Sequence, residues 1–121
     1  VGTHTVKITA TDTSGASVYD TFNITITNTN DAPTVANEIE DKTTSPGSAL
    51  SYQFNANVFA DVDAGDTFSY AATLKGGGAL PSWLNFDAAS RTFSGTPLNG
   101  DIGTIAVDVT ATDAGGATVI A

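Results

Sequence analysis

The sequence predicts an all-β chain folded as a Greek-key β-sandwich, and three observations predict it. Apolar and polar residues alternate with period two in five separate stretches, the mark of strands buried on one face. Clusters of Gly, Pro, Ser and Asn fall between those stretches as turn signals. No segment carries a helical period. The composition agrees: Thr, Ala, Gly, Asp and Ser dominate, Val and Ile are frequent, and long helix formers are few.

Taken in order, Val6, Ile8 and Ala10 point one way while Thr5, Lys7, Thr9 and Thr11 point the other, and His4 is assigned to the polar face. After a turn at Thr13, Ser14 and Gly15, Phe22, Ile24 and Ile26 alternate with Asn23, Thr25 and Thr27. The pattern returns at Leu50, Tyr52, Phe54 and Ala56, at Phe68, Tyr70, Ala72 and Leu74, and at Ile105, Val107, Val109 and Ala111. Turns are expected at 45–48 (SPGS), 97–100 (PLNG) and 114–116 (AGG), and a flexible hairpin loop at Gly76, Gly77 and Gly78. Leu80, Trp83, Leu84 and Phe86 form an apolar cluster, so Trp83 is expected in the core against Leu84 or Phe86, Phe54 and Tyr70.

An internal repeat sets the domain organisation. GTHTVKITATDTSGASVY (2–19) aligns without gaps to GTIAVDVTATDAGGATVI (103–120), with ten of eighteen positions identical at an offset of 101 residues. That offset is about the length of one sandwich repeat. The expected organisation is therefore the last two strands of a preceding repeat over 1–29, a linker at 30–33 (NDAP), and a repeat of about seven strands over 34–121 that lacks most of its final strand. The chain reads as a slice of a tandem array, and the open position beside its last strands invites a strand donated by another copy or a longer parent.

Thirteen Asp and Glu against four Lys and Arg give a net charge of −9. Such a surface repels nucleic acid and anionic membranes and attracts cations. There is no cysteine, hence no disulfide, thiolate metal site or thiol nucleophile. The acidic residues are concentrated: FADVDAGDTFSY (59–70) places Asp61, Asp63 and Asp66 within six positions. Calcium takes 6–8 oxygen ligands and lets several carboxylates share its charge. In a seven-stranded sandwich this loop, the turn that begins at Asp113, and the incoming linker with Asn30 and Asp31 lie at one end. The competing reading is that these aspartates are solvated turn formers. An EF-hand does not fit, because position 12 counted from Asp61 is Ala72.

From Asn30 onward the chain resembles a dystroglycan-type cadherin-like repeat within the broader group of bacterial immunoglobulin-like modules. The matching stretches are NDAPTV, FADVDAGDTFSY, LPSWLNFDAASRTFSGTP and ATDAGGAT. The resemblance implies an extracellular or cell-surface tandem repeat that binds Ca2+. By it, Asp61 and Asp63, Asp113, and Asn30 and Asp31 take the roles of the cadherin calcium ligands. Asp12 matches Asp113 through the repeat, but without a neighbouring acidic loop it reads as a turn residue.

Catalysis has little support. His4 has no recognisable nucleophile beside it. Glu38 and Glu40 are two apart, as a carboxylate pair on a strand would be, yet on an edge strand such charges more often block aggregation. The expected function is thus a non-enzymatic, calcium-binding adhesion repeat that rigidifies a tandem surface protein or filament through head-to-tail contacts. The alternative is a carbohydrate-binding module.

Overall fold

Ten alternating residues on each side of a tight turn form a long antiparallel hairpin, β1 (Gly2–Thr11) and β2 (Ser17–Ile26). The computed structural model describes all residues from Val1 to Ala121, and this hairpin belongs to a unit of its own, Val1–Asn30. Asp12 closes the turn by accepting the N–H groups of Ser14 and Ala16 at 2.8 and 3.0 Å. The register runs from Gly2 opposite Ile26 to Thr11 opposite Ser17. Directly opposed residues share a face. One face carries Thr3 with Thr25 and Thr5 with Asn23, joined through their side chains, and Lys7, whose Nζ lies 4.1 Å from the Tyr19 ring centre. The other carries Val6 with Phe22, Ala10 with Val18, and His4 with Ile24. His4 therefore lies on the apolar face, not the polar one. Its parity with Val6 and Ile8 requires this, since alternation admits no other side.

The second unit, Asp31–Ala121, contains eight strands. They are β3 (Thr34–Val35), β4 (Leu50–Gln53), β5 (Phe59–Ala60), β6 (Ser69–Leu74), β7 (Leu84–Asp87), β8 (Thr92–Gly95), β9 (Val107–Thr112) and β10 (Thr118–Ile120). One sheet has the order β4-β8-β7 and another β10-β9-β6, all antiparallel, while β3 and β5 form a short ladder. The core lies between the two larger sheets. Leu84 and Phe93 come from the first and Val109 and Ala111 from the second, with Phe54 and Val58 from the connection between β4 and β5 and Phe59 from β5 itself. Phe54 is the hub: its ring meets Tyr70 edge-on at 5.4 Å and stacks with Phe86 at 6.2 Å. This is the all-β sandwich that the alternation predicts.

Several strands are shorter than their alternation. β4 ends at Gln53, and Phe54 bonds the turn just ahead of its partner β8: its N–H donates to the Arg91 carbonyl and its carbonyl accepts Arg91 Nε. Ile105 lies outside β9 and is 43 % exposed. Residues 36–49 form no strand, so Glu38 and Glu40 do not sit on an edge strand; Glu40 pairs with Lys42 at 3.2 Å. Gly76 to Gly78 form a bonded turn rather than a loose loop. Leu74 donates to the Gly78 carbonyl, and the Gly76 N–H reaches Asp108 Oδ2.

Trp83 is half-buried at the margin of the core, whereas its neighbour Leu84 takes the interior position. At this point the chain packs backbone against backbone. The Trp83 carbonyl is pressed against Gly95, so closely that a Cβ there would lie 1.8 Å from the oxygen. Gly95 also has φ +154°, outside the range that side chains favour. The place beside β9 is partly filled: β10 pairs through Thr118, Val119 and Ile120, and Ala121 exchanges two hydrogen bonds with Val109.

Candidate metal centre

The acidic loop is held at both ends by aromatic anchors, buried Phe59 before it and Phe68 and Tyr70 after it. Between them the chain turns twice. The Asp63 N–H donates to Asp61 Oδ1 at 2.8 Å, and the Asp66 N–H donates to the Asp63 carbonyl at 3.2 Å. Gly65, at φ +82°, permits the second turn, which brings Asp66 back towards the first two aspartates. Each of Asp61, Asp63 and Asp66 offers a carboxylate oxygen, and these oxygens all lie within 4.8 Å of one another. All three side chains are partly buried.

Two further segments of the same unit close on this loop. The Asp31 N–H donates to Asp63 Oδ2 at 2.8 Å. From the turn between β9 and β10, the Ala114 N–H donates to Asp66 Oδ1 at 3.0 Å. Asp113 itself is 5 % exposed, and its Oδ1 accepts the Ala117 N–H at 2.8 Å. The β3–β5 ladder, Thr34 opposite Ala60 and Val35 opposite Phe59, fixes the linker end next to Asp61. Thus the acidic loop, the β9–β10 turn and Asp31 meet as the strand order predicts. The tight carboxylate group contains Asp61, Asp63 and Asp66; Asp113 caps its own turn next to it. Asn30 is the last residue of the first unit and is exposed.

One atom in this arrangement lacks a partner. Asp61 Oδ2 is shielded from solvent and accepts no hydrogen bond. A shielded carboxylate oxygen with no donor loses its hydration and gains nothing from the protein. Three carboxylates at this separation also repel one another by roughly 1–3 kcal/mol per pair, depending on how much water screens them. Both costs disappear if a hard cation sits among the oxygens. The donor set, three carboxylates, suits calcium better than a metal that prefers nitrogen or sulfur. The donors missing from the sequence reading are the backbone amides of Asp31 and Ala114, which orient the carboxylates but leave no side-chain signal.

A second concave region lies elsewhere on this unit. A cleft of about 500 Å3 is lined by Asn37, Glu38, Glu40, Tyr52, Asn55 and Asn57, among others. The Asn37 side chain is committed to the Asn57 carbonyl at 2.7 Å, and Lys42 Nζ lies 4.6 Å from the Tyr52 ring centre. No histidine, serine or threonine lines it.

The sequence pattern of the family described as "Putative Ig domain" matches residues 32–120. The chain is also similar to "Serine-rich adhesin for platelets" of Staphylococcus aureus, 35 % identical over 116 residues, which is 96 % of this chain and 5 % of that protein. The same adhesin from strain MRSA252 is 33 % identical over 116 residues, 96 % of this chain and 8 % of its own length. The chain therefore spans a small fraction of these relatives.

Proposed function

Since the chain belongs to this Ig-domain family, we propose that it serves as a calcium-binding structural repeat of an extracellular adhesive protein. The observation that carries the calcium part is the group of Asp61, Asp63 and Asp66 with the shielded, unpartnered Oδ2 of Asp61. Asp61, Asp63 and Asp66 would hold the ion, with Asp113 and Asp31 at the margin. The ion supplies positive charge and a coordination shell; the chain brings the loop, the β9–β10 turn and the linker residue together to receive it. With calcium bound, the linker end at Asp31 is fixed to the apex of the sandwich, which stiffens a tandem array at each junction. The likeness to a serine-rich adhesin supports an adhesive, non-catalytic setting at the cell surface. Titration calorimetry of the apoprotein with calcium tests the site. A single saturable event, abolished by Asp61→Asn with Asp63→Asn, is expected; absence of heat and of any spectral change at millimolar calcium would refute it.

Saccharide binding is the second reading, and the cleft beside Tyr52 is the observation that favours it. Asn55 and Asn57 offer amides that can bond hydroxyl pairs, and Glu38 and Glu40 disfavour anionic sugars. A neutral-glycan array on the calcium-loaded chain distinguishes the two readings.

A further inference from the structure

The polar cleft of the second unit already holds an ammonium group, and that group is the protein's own. Lys42 belongs to the lining, with its Nζ 3.2 Å from Glu40 Oε2 and 4.6 Å from the centre of the Tyr52 ring. A carboxylate and an aromatic face are the partners a cation finds at a protein surface. Tyr52 is held in place, because it lies in β4 opposite Phe93 and packs against the core. Glu40 and Lys42 belong to residues 36–49, which form no strand, and the Lys42 side chain is 37 % exposed. A long side chain on an irregular segment can leave this seat without disturbing a ladder.

The rest of the lining divides into groups in use and groups left open. The Asn37 amide donates to the Asn57 carbonyl at 2.7 Å and the Gln53 amide to the Ser90 carbonyl at 2.8 Å. The side chains of Glu38, Asn55 and Asn57 are exposed and bond nothing within the chain. Two carboxylates, Glu38 and Glu40, against the one ammonium of Lys42 leave the cleft with a negative charge in excess. Open amides bond pairs of hydroxyls, and a carboxylate beside an aromatic ring receives an amine. Only a ligand with both kinds of group uses the whole set.

We propose that the saccharide of this cleft is an amino sugar with an unacetylated amine, and that its ammonium group takes the place of Lys42 between Glu40 and Tyr52. The proposal rests on the saccharide reading of the cleft and narrows it to one chemical class. Lys42 makes the cleft selective by competing for the seat. A neutral sugar that pushed Lys42 aside would strip Glu40 and Tyr52 of their cation and return none. An amino sugar replaces what it displaces, and its hydroxyls then reach Asn55 and Asn57.

The test is an NMR titration of the full chain in millimolar calcium, at a mildly acidic pH where amino sugars carry their charge. The probes are a glucosamine tetramer, its fully N-acetylated counterpart, and tetralysine. The glucosamine tetramer should shift the side-chain amide signals of Asn55 and Asn57. It should bind about tenfold more tightly than the acetylated form, as one exposed ion pair with one cation–π contact provides. Lys42→Met keeps the apolar stem and removes the competing charge, so it should tighten glucosamine binding about threefold. Glu40→Gln should remove most of the preference for the free amine. Both positions are exposed, so both variants keep the fold. Equal or tighter binding of the acetylated tetramer, with the same shifts, would overturn the proposal and leave the wider saccharide reading standing. Silence of both amides with either sugar would remove the two together. Equal shifts from tetralysine would assign the seat to a cationic peptide and overturn the proposal. So would unchanged or weaker glucosamine binding by Lys42→Met.

Discussion

Asp61→Asn separates the metal reading from the turn reading of the acidic loop with a single oxygen. The substitution keeps Oδ1, which accepts the Asp63 N–H at 2.8 Å, so the local turn survives. It replaces the shielded Oδ2 by an amide and removes one charge from a group spanning 4.8 Å. In chelator the variant should unfold no lower than the parent, because roughly 1–3 kcal/mol of repulsion per pair is relieved against the cost of leaving an amide without a partner. In calcium the order should reverse. Extracellular modules bind calcium with Kd of about 10⁻⁴–10⁻³ M, so 10 mM calcium adds about 1.4–2.7 kcal/mol to a folded state that alone binds it. For a unit of this size that is a rise of about 6–20 °C in Tm. Trp83 emission is the appropriate probe, because the only tryptophan lies in the second unit and the hairpin melts unseen. The parent should show the calcium-dependent rise and Asp61→Asn should lose most of it. Equal melting of both proteins with and without calcium would refute the reasoning and return the aspartates to turn formation.

Other substitutions address the fold that carries the site. Gly95→Ala should cost at least about 3 kcal/mol in denaturant unfolding, since its Cβ would collide with the Trp83 carbonyl at a strained φ. Phe54→Ala, at a residue 1 % exposed, should cost about 3–5 kcal/mol by the same measurement. Arg91→Ala removes the side-chain donor to the Phe54 carbonyl and should cost about 1–3 kcal/mol; an Arg91→Lys variant, lacking the planar fork, should recover little of it. Asp20→Ala should raise self-association of the chain in sedimentation experiments by removing the one charge in the middle of the exposed hairpin face.

What the sequence made legible was whatever side chains encode by spacing. Alternation located the strands, and the three aspartates of 61–66 announced a loop with excess charge. Their convergence with Asp31 and the β9–β10 turn also followed from strand order, because a sandwich places alternate connections at the same end. The misses have physical causes. The polarity of His4 points it to solvent, but its parity with Val6 and Ile8 fixes it on the apolar face, opposite Ile24. Glu38 and Glu40 alternate like strand neighbours, but past Asn37, whose backbone and side chain bond the Val58 and Asn57 carbonyls, the segment joins no ladder, and Glu40 pairs with Lys42. Trp83 does pack against the core, but it stays half-buried, and the interior position goes to the neighbouring Leu84, on the other face of the chain. The amides of Asp31 and Ala114 were invisible, since every residue but proline has one and only the fold decides where it points.

The two copies of the ATD turn show what a hairpin of this type brings to the acidic loop and what it lacks. At Asp12 and at Asp113 closely similar sequences, ATDTSGA and ATDAGGA, make the same turn, so that geometry is intrinsic to them. What differs is the surroundings: Asp113 is buried and lies beside Ala114, whose N–H holds Asp66, whereas Asp12 is exposed. A hairpin of this type therefore carries only one side of the site. The carboxylate group comes from the loop between β5 and β6, which belongs to the earlier part of the repeat. A cation held by this group would tie the acidic loop to the β9–β10 turn through Asp66 and Ala114, so it would strengthen the packing that creates its own site. Under this linkage calcium should raise the Tm of the second unit and leave the hairpin of the first unit, where Asp12 has no acidic loop of its own unit beside it, unchanged.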